Sequence, residues 1–120
     1  MPNPVVHWEI QTSNAKKVQE FYHNLFDWHV DTSNPMEYGL VDTHTERGIG
    51  GGIGGTGSDD RPNLVTFYVE VDDLEASLSK AQELGGKTVM PVTEIPNMVT
   101  FALFSDPEGN VVGLVKSEEG

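Results

Sequence analysis

His7, Glu9 and Gln11 alternate along Pro4-Val-Val-His-Trp-Glu-Ile-Gln11, so an extended strand turns all three to one face and Val6, Trp8 and Ile10 to the other. An imidazole beside a carboxylate can move protons. A desolvated carboxylate with a raised pKa can serve as general base next to a bound carbonyl compound. Thr66, Tyr68 and Glu70 alternate in the same way within Asn63-Leu-Val-Thr-Phe-Tyr-Val-Glu-Val71. His7, Glu9 and Glu70 are therefore the candidate catalytic residues. Each has a plainer reading, as a strand histidine bonded to its neighbour or as an acid facing water or a second copy. To hold a cation, the three would have to converge across neighbouring strands.

The rest of the chain adds little to a metal argument. His23 follows a helical stripe, His29 lies on a short strand and His44 falls in a turn, with no His-x-x-x-His or His-Glu-x-x-His pair among them. The absence of cysteine removes thiolate ligands, disulfides and a cysteine nucleophile. Nothing supports a Ser-His-Asp triad.

The most unusual stretch is Arg47-Gly-Ile-Gly-Gly-Gly-Ile-Gly-Gly-Thr-Gly-Ser-Asp-Asp-Arg-Pro62. Gly50, Gly52 and Gly55 satisfy G-x-G-x-x-G. A phosphate cradle, however, needs a helix N-terminus immediately after the glycines. Two acids, an arginine and a proline follow instead, so the run reads as a strand that continues into a linker. A strand without side chains lets a ligand or another backbone approach closely.

The elements that must position these residues come in two similar sets. After the first strand, Ser13 or Asn14 caps a helix with the stripe Ala15, Val18, Tyr22 and Leu25, flanked by Phe21 and Phe26. Short strands follow at 27–32, 36–42 and 48–54. The pattern then repeats. Strand 63–71 leads to Asp72 or Asp73 as cap, and a helix carries Leu74, Leu78, Ala81 and Leu84 to a stop at Gly85-Gly86. Strands at 87–94, 98–105 and 110–116 complete the set, with Asp106-Pro-Glu-Gly109 as the last turn. Each half is βαβββ, giving an α+β fold of one domain: module 1 at about 4–54, linker 55–62, module 2 at about 63–116. Trp8, Phe21, Trp28 and Phe67 are expected in the helix-to-sheet core. The polar strand faces are expected to line a cleft with Gln11, Tyr38, Gly52, Thr66, Tyr68, Met98, Phe104 and Gly113.

Composition limits the partners. With 19 acids against 7 Lys and Arg, the formal charge is −12 over 120 residues. That field repels phosphate backbones and anionic lipid, so neither nucleic acid nor membrane is expected as partner. The N-terminus has no basic region followed by an apolar one, and a cytoplasmic protein is the default expectation.

Taken together, the paired βαβββ modules, Phe21-Tyr22 followed by Asn24-Leu-Phe-Asp-Trp28, Val71-Asp-Asp-Leu74, and Asp106-Pro-Glu-Gly-Asn110 before a final apolar strand resemble the vicinal oxygen chelate superfamily. That superfamily includes glyoxalase I, bleomycin-resistance proteins, fosfomycin-resistance enzymes and extradiol dioxygenases. The resemblance covers nearly the whole chain. It implies a cupped mixed sheet with helices on its outer face, a small-molecule pocket inside each cup, and a homodimer; it implies no particular reaction.

In metal-dependent members, ligands come from the first and last strands of each module. His7 stands at the first ligand position. Thr66 occupies the corresponding place in module 2, Gly113 replaces the last-strand carboxylate, and module 1 ends in glycines and isoleucines. One imidazole does not hold a divalent cation, since even catalytic zinc keeps three protein ligands. The expectation is a metal-independent small-molecule-binding protein without a cofactor, with base-assisted chemistry on a carbonyl or aromatic ligand if it is an enzyme. The alternative is a divalent-metal-dependent glyoxalase-like lyase or isomerase, or a relative of the dioxygenases.

Overall fold

In the computed structural model, residues 2–56, 61–96 and 98–117 are described. Eight strands and two helices follow in the order β1 (Val5–Thr12), α1 (Ala15–Phe26), β2 (His29–Asp31), β3 (Gly39–Asp42), β4 (Gly51–Gly55), β5 (Leu64–Val71), α2 (Leu74–Glu83), β6 (Lys87–Ile95), β7 (Val99–Ser105) and β8 (Val111–Lys116). The fold is α+β, as expected. The chain forms two compact units: one runs from His7 to Thr66, and the other joins the N-terminal segment through Val6 to Phe67 and everything beyond it.

In the His7–Thr66 unit, β1 and β4 are parallel, with Trp8 opposite Gly51, Glu9 opposite Gly52 and Gln11 opposite Gly54. β4 pairs antiparallel with β3, and β3 with β2. The parallel pair is what α1 makes possible, because two parallel neighbours need a crossover between them. Asn14 caps that helix, its Oδ1 accepting from the Lys17 amide at 3.2 Å. At the other end, Asp27 takes a left-handed φ of 59° and its amide donates to His23 O.

The apolar stripe of α1 meets the sheet less completely than its spacing suggests. Gln19 is buried, and its Nε2 donates to Ile53 O at 2.7 Å. Phe21, Leu25 and Phe26 are each more than half exposed. Trp8 and Trp28 do lie together, ring centroids 5.1 Å apart, and Tyr22 stacks on Trp28 at 5.5 Å. Phe21, by contrast, is not a core residue, and neither is Phe67 at 43% exposure. Val41 and Ile53 are the buried aliphatics of this unit.

The second unit follows the same plan. β5 and β8 are parallel with Tyr68 opposite Gly113, and β8, β7 and β6 pair antiparallel. Asp73 caps α2, accepting from the Ala76 amide at 3.0 Å. Leu74 and Leu78 pack with Val71, Ala102 and Leu114 to form the core of this unit. Phe104 packs against that core too, so it belongs to the helix side of β7. Leu84, past the end of α2, is 70% exposed. The expected linker 55–62 falls partly outside the described residues.

Candidate functional site

The polar face of β1 behaves as its alternation requires. Trp8 points to the helix side, where a Cβ placed on Gly51 would come within 2.1 Å of its ring. His7, Glu9 and Gln11 point the other way, and Tyr38 meets them there. Its hydroxyl donates to Glu9 Oε2 at 2.8 Å and lies 3.1 Å from His7 Nε2. Gln11 Nε2 donates to Glu9 Oε1 at 2.7 Å. Both carboxylate oxygens of Glu9 therefore accept hydrogen bonds from side chains of the same unit.

β4 provides the space for this arrangement. A Cβ on Gly52 would lie 1.8 Å from Tyr38 Oη, and one on Gly54 would lie 2.5 Å from Tyr38 Cδ1. The tyrosine ring rests on the bare strand. The space that the glycine run was expected to open for a ligand is thus filled, over Gly52 and Gly54, by a side chain of the protein.

Tyr38 is held by its backbone as well. Its amide donates to Asn34 Oδ1 at 3.0 Å and its carbonyl accepts from Asn34 Nδ2 at 2.7 Å. Glu37, just before it, has a φ of 53°, and its amide donates to Asn34 O at 3.1 Å. Asn34 is a residue that sequence reasoning passed over. An asparagine four positions before an aromatic, in a short stretch between strands, is the only local signal of such a clasp.

Burial of the His7 ring lowers its pKa from the ordinary value; the nearby Glu9 charge opposes this but is the weaker effect. The imidazole is therefore neutral around neutrality.

Four candidate residues, His7, Glu9, Gln11 and Tyr38, are brought together over Gly52. Thr66 is buried on β5 at the end of the same unit. Glu70, Tyr68, Met98, Phe104 and Gly113 belong to the other unit. There the Tyr68 ring covers Gly113, whose Cβ would lie 2.3 Å from it, and Phe101 sits edge-on at 6.3 Å. The Glu70 amide donates to Pro4 O at 2.9 Å. Met98 is 40% exposed, after a turn closed by its amide on Ile95 O. The pocket assignment of Phe104 is one position out of phase: alternation along β7 puts Phe101, not Phe104, on the face of Tyr68.

A divalent cation does not fit these donors. Among the described residues, no three His, Cys, Asp or Glu side chains converge. The β4 residues opposite Glu9 and Gln11 are glycines, and a phenol sits between the imidazole and the carboxylate.

A family model for the Glyoxalase/Bleomycin resistance protein/Dioxygenase superfamily matches residues 5–114. The chain belongs to that superfamily. It is 28% identical over 112 residues to CFP32 of Mycobacterium bovis, provisionally named a glyoxylase, covering 88% of this chain and 42% of the relative. The chain therefore spans less than half the length of that mycobacterial protein. A glyoxylase-like domain-containing protein of Didymella fabae is 26% identical over 108 residues, 85% of this chain and 84% of its own. Among solved structures, the methylmalonyl-CoA epimerase of Mycobacterium tuberculosis superposes with a TM-score of 0.67 at 14% identity, covering 93% of this chain and 86% of the epimerase. At that identity the match speaks for the superfamily fold alone. No helix among the described residues is long and apolar enough to cross a membrane.

Proposed function

We propose that this superfamily member is a metal-independent protein that binds a small carbonyl-bearing or aromatic molecule at the His7–Tyr38–Glu9–Gln11 network. The observation that carries this reading is the polar network itself, Tyr38 Oη lying 2.8 Å from Glu9 and 3.1 Å from His7. Such an arrangement satisfies a half-buried carboxylate without a cation, since a phenol and an amide supply the donors that an ionised oxygen requires. Glu9 then serves to hold Tyr38 and Gln11 in place rather than as the base. Glu70, in the other unit, remains a second candidate for acid-base work there.

The same reading includes a homodimer. Phe21, Leu25 and Phe26 leave more than half of each side chain exposed on one helix, and scattered single apolar residues would need no such explanation. Light scattering coupled to size-exclusion chromatography tests this part, and a monomer at micromolar concentration removes it.

For the ligand, the test is calorimetry on chelator-treated protein against a panel of small dicarbonyl and phenolic compounds. Binding that survives chelation and weakens at least tenfold in Glu9→Ala supports the proposal, a loss of about 1.4 kcal/mol. Stoichiometric zinc, nickel or manganese that is lost in His7→Ala, with binding only in its presence, overturns it in favour of a glyoxalase-like metal enzyme.

A further inference from the structure

We infer that His29 and His44 form a two-imidazole site for a late first-row divalent cation, copper(II) before nickel(II) or zinc(II), at the β2 edge of the His7–Thr66 unit. Two strands, β3 and β4, lie between β2 and the His7 network on β1, and the inference is independent of how that network is read. The pairing of β2 with β3 sets His29 directly opposite Asp42, so both side chains leave the sheet on the same side. Two residues beyond Asp42, His44 takes a left-handed φ of 56°, a conformation that histidine adopts more readily than most residues. Its amide donates to Asp42 Oδ1 at 2.7 Å. The turn carries the imidazole back over β2, where the His29 and His44 rings lie with centroids 5.5 Å apart and planes inclined by 59°.

That spacing suits a shared ion. Bonds from zinc to imidazole nitrogen are about 2.0–2.1 Å long, so two rings meeting one ion at a tetrahedral angle have centroids roughly 5 Å apart. The donors are available as well. Both residues are exposed, the His44 side chain at 66%, and among the described residues neither nitrogen of His29 nor Nε2 of His44 makes a hydrogen bond. His44 Nδ1 faces Asp42 Oδ2 at 3.8 Å. A ligating imidazole commonly turns its second nitrogen to a carboxylate, which fixes the ring and raises its basicity. Asp42 stands in that place behind His44 and leaves Nε2 as the donor.

The class of cation follows from the donors. Imidazole nitrogen suits copper, nickel and zinc, whereas calcium and magnesium take oxygen. Affinity should therefore be highest for copper and lowest for manganese. Among the described residues no third His, Cys, Asp or Glu joins the pair, so water completes the coordination and the ion exchanges freely. The formal charge of −12 favours its approach. Each ring gives one lone pair, and nothing is oxidised or reduced.

Calorimetric titration of the dialysed full chain with copper(II), and separately with magnesium(II), in a non-chelating buffer tests the site. One copper ion per chain is expected, and no magnesium. Copper affinity should fall at least tenfold, about 1.4 kcal/mol, in His29→Gln and in His44→Asn. Asparagine tolerates the left-handed turn, and both positions are exposed, so an unchanged thermal midpoint should accompany the loss. In protein labelled with nitrogen-15 in its histidine rings, substoichiometric copper should broaden the signals of His29 and His44 before those of His7 and His23. Unchanged copper affinity in the double variant, earlier broadening of His7, or no binding at millimolar copper overturns the inference. Its failure is distinct from that of the ligand proposal: an ion lost in His7→Ala belongs to the network on β1, and one lost in His29→Gln belongs to the β2 edge.

Discussion

His7 couples the site to pH with a definite sign. Burial lowers its pKa in the folded chain below the ordinary 6.5, against a weaker opposing effect of Glu9. The unfolded chain therefore takes up a proton that the folded chain refuses, and stability must rise with pH across the interval between the two values. The stabilisation is complete above about pH 6.5 and is lost on acidification toward the depressed folded value. Urea unfolding of wild type and His7→Gln should thus diverge below neutrality, the wild type losing more. A wild type that gains relative stability in acid would mean that the Glu9 charge outweighs burial. The residues themselves were legible in the sequence: alternation alone places His7, Glu9 and Gln11 on one face. Their hydrogen bonding was not, because it runs through Tyr38, twenty-nine positions from Glu9.

At the scale of the element, β4 is the informative strand. Its glycines serve both faces, Gly51 receiving the Trp8 ring and Gly52 the Tyr38 ring, and a β-strand puts successive residues on opposite sides. Gly52→Ala should destabilise the protein by about 1–3 kcal/mol through overpacking and should expel Tyr38 from Glu9 and His7. Gly48→Ala, where the nearest atom would be an ordinary 3.6 Å away, should change stability by no more than about 0.5 kcal/mol. Chemical denaturation of the two variants checks the contrast, and equal costs would mean that Tyr38 moves aside freely. Both helix caps and the alternation of β1 and β5 were readable from short-range chemistry. The burial of Gln19 and the exposure of Leu25 were not, since a polar side chain enters a core only where a specific carbonyl, here Ile53 O, awaits it.

For the whole molecule, net charge acts on stability alongside packing. The chain carries a formal −12, and the contact of His44 Nδ1 with Asp42 at 3.8 Å, between exposed groups, is an ion pair only when the imidazole is protonated. Repulsion among acids should therefore outweigh attraction, and screening by salt should stabilise the fold. The thermal midpoint at neutral pH should rise between low salt and about 0.5 M sodium chloride, where the Debye length has shrunk below about 5 Å. A falling midpoint would show that attractive pairs prevail.

The division between chain and fold has one physical origin. Hydrophobic period, capping side chains and glycine stops act over a few residues, so the two βαβββ sets, the polar face of β1 and the superfamily could all be read from neighbours along the chain. Hydrogen-bond partners across a sheet are chosen by register and by which loop closes over which strand. Only packing could put a phenol between His7 and Glu9.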